Sequence, residues 1–409
     1  MKSAESFPVT YQDIEDAVNR LRGVINRTPF EFSASFSKMV GAAVYLKMEN
    51  LQKTGSFKIR GAFNKISRLT EAQRERGVIT ASAGNHAQGV ALSASLNGIK
   101  SVVVMPQYAS LAKIAATKNY GAEVILHGQT FDDALSKAKE VQQEQGLTFV
   151  HGYNDPLVIA GQGTIGIEVC EENELDYFIV PVGGGGLISG IALAIKQISP
   201  KTKIIGVQAE SAPSFAESFR QGRQVAVRQR DTIADGIAIK HPGEIAFSIC
   251  KALVDDILTV SEDEIVEAMF LLLERSKLLV EGAGAAPLAL LLSRKFKADG
   301  KKIGVLLSGG NVDLNLTRKM ILRGMTLQRR IALLQISVPD RPGAMREALS
   351  TIADAGATVL SLYENQLHSS DVLNRFTSRV LIELEDAQHL DKLIEALDKK
   401  GIEFKLLKD

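Results

Sequence analysis

The chain has 409 residues, more than one ordinary domain holds, and 45% of them are hydrophobic, enough for sizeable cores. Its 48 basic and 47 acidic side chains leave a formal net charge of +1, without the basic excess typical of nucleic-acid-binding proteins. Two cysteines without disulfide or metal-site spacing favour a cytoplasmic location, and no apolar run has the length of a membrane span or the features of a signal peptide.

The first segment of chemical interest is Lys53–Ala62, with the sequence KTGSFKIRGA. Lys58 stands between Phe57 and Ile59, directly after a Gly-Ser turn. Burial against apolar side chains lowers the pKa of a lysine, and the neutral amine is the form that attacks a carbonyl. The segment therefore indicates a nucleophilic lysine, although a surface lysine at the start of a helix has the same local sequence.

A second segment, Ser82–Gly89 (SAGNHAQG), follows the predicted strand Gly77–Ala81 and leads into the predicted helix Ala87–Asn97. Backbone N–H groups at a helix entrance, together with an asparagine amide, suit a carboxylate or a phenolate oxygen. An ordinary helix cap is the alternative interpretation.

Short apolar runs alternate with helical patterns through the middle of the chain. The predicted strands are Ser101–Pro106, Tyr177–Val182, Ile204–Gln208 and Ile303–Leu307, and the predicted helices are Ser110–Tyr120, Thr130–Gln145 and Leu187–Ile198. Such alternation predicts an α/β fold with largely parallel sheets covered by helices on both faces. Ligands of these sheets bind at the carboxyl ends of strands, where glycine-rich turns enter helices.

The segment Gly161–Gly166 (GQGTIG) matches the pattern of a dinucleotide-binding loop. It follows Asn154–Pro156, which is typical of a helix cap, whereas that loop requires a preceding strand. We therefore predict a glycine-rich helix packed close to its neighbours.

Four consecutive glycines, Gly183–Gly186, lie between the predicted strand Tyr177–Val182 and the predicted helix Leu187–Ile198. Without side chains, their backbone can wrap around an anion with its N–H groups pointing inward. No P-loop lysine follows, so the pattern favours the monophosphate of a cofactor over a nucleoside triphosphate.

A further strand-to-helix turn occurs at Leu307–Asp313 (LSGGNVD), where Ser308 could offer a hydroxyl to a ring nitrogen. A plain helix-start turn is the alternative. The six histidines show no paired ligand spacing, so no metal site is predicted.

The regular hydrophobic periodicity is interrupted at Gly324–Arg330, a polar and basic stretch. We therefore predict a domain boundary at residues 325–332. After it, the predicted elements are strand Ile331–Val338, helix Ala344–Ala355, strands Val359–Glu364 and Ser378–Leu384, helix His389–Lys399 and strand Ile402–Leu407. This β-α-β-β-α-β order predicts a ferredoxin-like unit.

The motifs SFKIRGA, SAGNHAQG, GGGGL and SGGN, in this order, resemble those of fold-type II pyridoxal-phosphate (PLP) enzymes. The set is most similar to the threonine ammonia-lyase (threonine dehydratase) family and its serine dehydratase and serine racemase relatives. The resemblance implies a tryptophan synthase β-like catalytic domain at residues 1–325, with a smaller subdomain at about 50–150 inserted in a larger one.

The resemblance also implies roles for individual residues. Lys58 would bind PLP covalently and remove the α-proton of the substrate, and Phe57 would pack beside the cofactor. The remaining cofactor contacts are Asn85 at the 3′-oxygen, Gly183, Gly184, Gly185 and Gly186 at the phosphate, and Ser308 at the ring nitrogen. The substrate carboxylate would be held by Ser82, Ala83, Gly84, Asn85 and His86. Glu281 would lie near the far side of the ring.

The implied reaction converts L-threonine into 2-oxobutanoate and ammonia, with side activity on L-serine. Similar racemases carry a second serine where this chain has Ala83, so ammonia-lyase activity is favoured over racemisation. A serine racemase or serine dehydratase is the alternative, as is a catalytically silent amino-acid sensor. Some relatives bind a cation after the strand Ile204–Gln208. Glu210 is present there, but Ala216 stands at the expected aspartate position.

The C-terminal unit, residues 331–409, resembles an ACT domain through its topology and its DRPG turn at Asp340–Gly343. The resemblance implies an amino-acid effector, with isoleucine feedback as the natural hypothesis, and assembly as a homodimer or homotetramer. A plain dimerisation module and a catabolic role both remain open.

Overall fold

The computed structural model describes residues 7–364 and 374–407, and the chain divides into the units Met1–Asp313 and Leu314–Asp409. The division precedes the predicted boundary at residues 325–332, because the helix Leu314–Leu327 packs against the first strand of the second unit. The domain limits 1–325 and 331–409 stay a prediction.

The first unit consists of strands and helices in alternation. Its strands are β1 (Phe30–Phe32), β2 (Ala43–Lys47), β3 (Val78–Ala81), β4 (Ser101–Met105), β5 (Glu123–Leu126), β6 (Thr148–Phe149), β7 (Tyr177–Pro181), β8 (Lys203–Ala209), β9 (Asp256–Val260) and β10 (Lys302–Leu306). Its helices are α1 (Tyr11–Leu21), α2 (Ala34–Val40), α3 (Lys58–Ile66), α4 (Glu71–Arg76), α5 (Asn85–Leu96), α6 (Leu111–Asn119), α7 (Phe131–Gln145), α8 (Pro156–Glu172), α9 (Gly186–Ile198), α10 (Ser214–Gln221), α11 (Glu244–Leu253), α12 (Glu262–Ser276) and α13 (Gly282–Leu292). Short 3₁₀ turns span Glu49–Leu51, Lys53–Gly55 and Asp235–Ile237.

Two sheets organise this unit. The larger has the strand order β1-β2-β10-β7-β8-β9, parallel throughout except for the antiparallel pair β1–β2. The smaller has the order β5-β4-β3-β6 and is wholly parallel. Its strands lie between β2 and β7 along the chain, so the smaller sheet is an insertion in the larger one. The prediction of parallel sheets covered by helices is confirmed.

The apolar sequences of the strands explain why these sheets are buried between helices. Every residue of β3 (VITA) and β4 (SVVVM) is buried, as expected for parallel strands that helices cover on both faces. Branched side chains also suit the pleated backbone. Both sheets therefore serve as rigid platforms for the turns at their carboxyl ends.

The glycine-rich segment Gly161–Gly166 lies inside helix α8, as predicted. Asp155 caps this helix by accepting hydrogen bonds from two backbone N–H groups, and Pro156 occupies its first position. Helix α9 approaches so closely that a Cβ atom on Gly190 would lie 2.2 Å from the carbonyl oxygen of Ile159. The glycines of this helix pair serve close packing, as predicted for Gly161–Gly166.

The second unit contains α14 (Leu314–Leu327), β11 (Ile331–Pro339), α15 (Ala344–Asp354), β12 (Thr358–Glu364), β13 (Arg375–Glu383), α16 (Ala387–Lys399) and β14 (Glu403–Leu407). Its antiparallel sheet has the order β12-β13-β11-β14, and α15 and α16 supply the apolar side chains that pack against β11 and β13. The predicted ferredoxin-like order is confirmed. Gly343, in the left-handed region with a φ of 89°, caps α15 at the end of the predicted DRPG turn.

We expect Gly190→Ala to lower the free energy of unfolding of the first unit by about 1–3 kcal/mol, since the added methyl group overpacks the contact between α8 and α9. Urea denaturation followed by circular dichroism measures this change. Ser95→Ala, on the exposed side of α5, is the control and should change the value by less than about 0.5 kcal/mol. Equal stability of Gly190→Ala and the wild type would contradict the proposed packing.

Candidate active site

The predicted site segments lie at the carboxyl ends of strands from both sheets. Residues 82–86 follow β3, residues 183–186 follow β7, and residues 307–313 follow β10. Helices α5 and α9 begin within the first two of these turns. Parallel strands of each sheet end at one edge, and the contacts described below join the edges of the two sheets.

The lysine segment is attached directly to the turn after β10. Ser56 forms an isolated antiparallel bridge with Gly309, and the N–H of Phe57 donates a hydrogen bond to the carbonyl oxygen of Ser308 at 3.2 Å. Ser308 is buried. The backbone therefore brings the predicted Phe57 and Ser308 together, although about 250 residues separate them in sequence.

Lys58 is the first residue of α3 and is partly buried. Its Nζ donates a hydrogen bond to the carbonyl oxygen of Gly152 at 2.9 Å and lies 5.0 Å from the centroid of the Phe57 ring. Loss of hydrating water lowers the pKa of Lys58 to about 8, against the opposing attraction of Glu281. About a tenth of this amine is therefore neutral at pH 7, far more than for a lysine with its ordinary pKa.

The four glycines at the start of α9 present free backbone donors. No N–H of Gly183–Gly186 donates a hydrogen bond to any other described residue. Gly185 adopts the left-handed region with a φ of 93° and caps the helix. Unpaired N–H groups and the positive end of the helix dipole together make this turn suitable for an anionic group.

Neighbouring side chains explain why the turn consists of glycine alone. A Cβ atom on Gly184 would lie 2.3 Å from the Tyr153 ring, and one on Gly185 would lie 2.4 Å from the Phe215 ring. Both rings therefore lie directly against the turn. Any larger residue would therefore displace the wall that shapes the anion site.

The loop at residues 82–86 begins as the predicted helix entrance. The N–H of Gly84 donates to the hydroxyl oxygen of Ser82 at 3.2 Å, and α5 starts at Asn85. Residues 82–85 are partly exposed, and Ala83 packs against an apolar cluster formed mainly by α5 and β4.

His86 is committed to the protein interior. Its Nε2 bonds to the carbonyl oxygen of Val150 at 2.9 Å, so Nε2 carries the proton. Burial, with the nearby charge of Lys58, lowers the pKa of His86 to about 3. The imidazole is therefore neutral, so His86 can contribute its backbone N–H group to an anion site but not a charged ring.

Asn85 links this loop to the far side of the site. Its Nδ2 donates to Oε1 of Glu281 at 2.7 Å, and the N–H of Glu281 donates to the carbonyl oxygen of Gly309 at 3.0 Å. Burial raises the pKa of Glu281 to about 7, although the hydrogen bond from Asn85 opposes this shift. Glu281 therefore joins the turns after β3 and β10.

All predicted segments thus belong to one connected site, and three participants were missed by sequence reasoning. Gly152 and Tyr153 precede α8 in a segment without a recognisable motif. Asn311 lies within the SGGN motif, and its Nδ2 donates to Oδ1 of Asn85 at 2.7 Å. Because Asn311 is only three residues after Ser308, its position in the motif could have identified it as a site residue.

The candidate cation position at Glu210 contains a protein cation. Lys295 Nζ lies 2.7 Å from Oε1 of Glu210 and 2.8 Å from Oε2 of Glu264. Within residues 7–364 and 374–407, no cluster of three or more histidine, cysteine, aspartate or glutamate side chains is arranged to hold a metal ion.

The family model described as pyridoxal-phosphate dependent enzyme matches residues 21–309. The chain belongs to this family of PLP enzymes. The matched range includes the lysine segment, the glycine turn and Ser308, and the cofactor is PLP. A second model, described as ACT domain, matches residues 332–401, so the predicted C-terminal ACT domain is confirmed as well.

Relatives of this PLP enzyme cover between three quarters and almost all of its length. L-threonine ammonia-lyase of Thermotoga maritima is 46% identical over 400 residues, covering 98% of this chain and all of that protein. The processed form of threonine deaminase isoform 2 from Solanum lycopersicum has a TM-score of 0.74 and 37% identity, covering 76% of this chain and 92% of that one. Maize serine racemase has the same TM-score and identity, covering 79% and 100%. Fold similarity alone therefore does not separate the two reactions.

The residues of the site fit PLP. The unpaired N–H groups of Gly183–Gly186 suit its phosphate, and the lowered pKa of Lys58 suits an amine that reacts with its aldehyde. Phe57 supplies an apolar surface beside that amine.

None of the helices among the described residues is long and apolar enough to span a bilayer.

We expect the rate at which the apoprotein captures PLP to rise about tenfold per pH unit below pH 8 and to level off above it, because Lys58 reacts as the neutral amine. Stopped-flow absorbance of the apoprotein mixed with PLP at several pH values measures this rate. N-acetyl-lysine, with an ordinary amine, is the reference and should continue to accelerate to about pH 10. A protein profile that follows the reference would contradict the lowered pKa.

Proposed function

We propose that this chain converts L-threonine into 2-oxobutanoate and ammonia as a PLP-dependent ammonia-lyase, with side activity on L-serine. The observation that carries the proposal is Lys58, a partly buried lysine whose pKa is lowered to about 8 within the site of a PLP enzyme. The similarity to L-threonine ammonia-lyase over 98% of the chain supports threonine as the substrate.

Each predicted contact with PLP has a residue suited to it. Gly183–Gly186 would bind the phosphate, Phe57 would pack beside the ring, and Asn85 would bind the 3′-oxygen. Bound PLP would supply an electron-withdrawing ring that acidifies the α-carbon of the substrate, and only moderately if Ser308 places its neutral hydroxyl at the ring nitrogen.

Lys58 is the proposed base. Its neutral form accepts the α-proton, and the hydrogen bond to the carbonyl oxygen of Gly152 fixes the position of Nζ. The β-hydroxyl of threonine leaves as water. Hydrolysis of the resulting imine then consumes one water molecule and releases ammonia. The overall reaction therefore balances as threonine to 2-oxobutanoate plus ammonia.

The loop at residues 82–86 is the proposed site of the substrate carboxylate. Its location at the start of α5 favours an anion, because the helix dipole is positive there. The neutral ring of His86 bonds to Val150, so backbone N–H groups and the Ser82 hydroxyl would make these contacts.

Serine racemase is the second candidate, favoured by the structural similarity to the maize enzyme. Racemisation requires a proton donor on the face opposite Lys58, where similar racemases carry a serine and this chain has Ala83. A methyl group neither donates nor accepts a proton. The ammonia-lyase reaction is therefore preferred.

Regulation and assembly belong to the same proposal. The ACT domain supports an amino-acid effector, with isoleucine as the first candidate, in an enzyme that acts in isoleucine biosynthesis. A homodimer or homotetramer in the cytoplasm is proposed with it.

We expect Lys58→Ala to reduce 2-oxobutanoate formation from L-threonine by at least about a thousandfold, because both the covalent attachment of PLP and the base are lost. A coupled assay of the 2-oxo acid measures the rate. Lys65→Ala is the control, because Lys65 lies on the same helix and pairs with Asp155. Unimpaired turnover by Lys58→Ala, or a wild type inactive with threonine and serine, would refute the proposal.

Ala83→Ser should raise the formation of D-serine from L-serine about tenfold or more, since it adds a hydroxyl on the face opposite Lys58. Chiral chromatography after incubation measures the product, and Ala83→Gly, which adds no hydroxyl, is the control. Abundant D-serine from the wild type would instead support the racemase.

A further inference from the structure

Two asparagine side chains form a relay beside the lysine segment. Asn311 uses its single Nδ2 twice, donating to the carbonyl oxygen of Thr54 and to Oδ1 of Asn85, both at 2.7 Å. Asn85 then donates from its own Nδ2 to Oε1 of Glu281 at 2.7 Å. The relay connects a turn four residues before Lys58 with the turn after β10.

The first acceptor fixes the direction of this relay. A backbone carbonyl oxygen only accepts hydrogen bonds, so the atom of Asn311 beside Thr54 has to be the NH₂ group. The same nitrogen faces Asn85, which must therefore present its oxygen in that direction. The NH₂ group of Asn85 consequently points to the opposite side, where one hydrogen reaches Glu281 and the second stays available.

The surrounding backbone is shaped to hold the relay. Thr54 has a φ of 63°, in the left-handed region that a β-branched residue rarely adopts, and its carbonyl oxygen accepts the hydrogen bond from Asn311. A Cβ atom on Gly55 would lie 2.5 Å from Oδ1 of Asn311, and one on Gly309 would lie 2.5 Å from Oε1 of Glu281. Glycine at both positions makes room for the side chains of the relay.

We propose that Asn311 is a positioning residue that orients the Asn85 amide, so that its NH₂ group faces the ring oxygen of bound PLP. The inference rests on the proposed function, in which Asn85 binds that oxygen. The reversed amide would place a carbonyl oxygen against a phenolate, and two acceptors repel each other. Asn311 therefore acts through Asn85 without touching the cofactor.

The test compares Asn311→Asp, Asn311→Leu, Asn85→Ala and the double variant Asn85→Ala/Asn311→Leu. Aspartate keeps the size of Asn311 but replaces both donated hydrogen bonds with acceptors, and leucine removes the amide. The measurements are the dissociation constant of PLP, by titration of each apoprotein, and the pH dependence of the visible absorbance of protein-bound PLP. A role limited to stability would leave that pH dependence unchanged.

We expect either Asn311 substitution to weaken PLP about tenfold and to move the absorbance midpoint in the same direction as Asn85→Ala. The double variant should bind PLP no more weakly than Asn85→Ala, because Asn311 acts only through that amide. Asn50→Leu is the control, since Asn50 is an asparagine outside the relay whose Nδ2 also donates to a backbone carbonyl oxygen, that of Leu279. This control should change the dissociation constant of PLP by less than about twofold and leave the absorbance midpoint at its wild-type pH.

Wild-type absorbance and affinity in both Asn311 variants would overturn the inference, as would additive effects in the double variant. Far-UV circular dichroism checks folding, and the isosteric Asn311→Asp carries the test if the leucine variant does not fold. A wild type that takes up no PLP would overturn the proposed function together with this inference. A wild type that binds PLP and releases ammonia from threonine, with unaffected Asn311 variants, would overturn this inference alone.

Discussion

The site depends on a buried network of charges around Arg60. This side chain is fully buried, and its guanidinium bonds to both carboxylate oxygens of Glu49 and of Glu168 at 2.6–2.9 Å. Lys47 completes the network with an ion pair to Glu168 at 2.7 Å. Charges buried in this way cost several kcal/mol each unless they are fully paired, so the geometry tolerates little displacement. Because Arg60 lies two residues after Lys58, the network fixes the start of α3 against β2 and α8.

The two basic residues of that helical turn show how partners determine the effect of burial. Two carboxylates face Arg60, and their attraction raises its pKa although burial alone would lower it. Lys58 is attracted by Glu281 and has a carbonyl oxygen as a hydrogen-bond partner, and this attraction is too weak to offset the effect of burial, which lowers its pKa. One buried turn of helix therefore holds a permanent cation that anchors the structure and an amine that can lose its proton. Arg60 therefore keeps its charge and stabilises the fold, whereas Lys58, two residues before it, can lose its proton and react.

Much of this arrangement could be predicted because its signals are local. Runs of branched residues predicted the buried strands, and the glycine turns predicted the edge at which ligands bind. The pairing of Arg60 with Glu168 and of Asn85 with Glu281 could not be predicted, because these partners lie 108 and 196 residues apart and carry no mutual pattern. Tyr153 was missed for a related reason, since it shapes the glycine turn from a segment without a motif. The second unit was predicted in full order because its strands and helices have regular periodicity.

The position of β10 between β2 and β7 has a consequence for how the protein is made. The smaller sheet uses residues 78–149, so it can form while the ribosome is still adding the rest of the chain. The larger sheet remains divided until the last of its strands arrives, and contacts of such long sequence separation form slowly. A nascent chain therefore carries its reactive lysine for most of synthesis without the turn that faces it. The complete site can therefore form only after synthesis has passed residue 313, about three quarters of the way along the chain, so the order of the strands sets the earliest point at which all of the turns can surround the lysine.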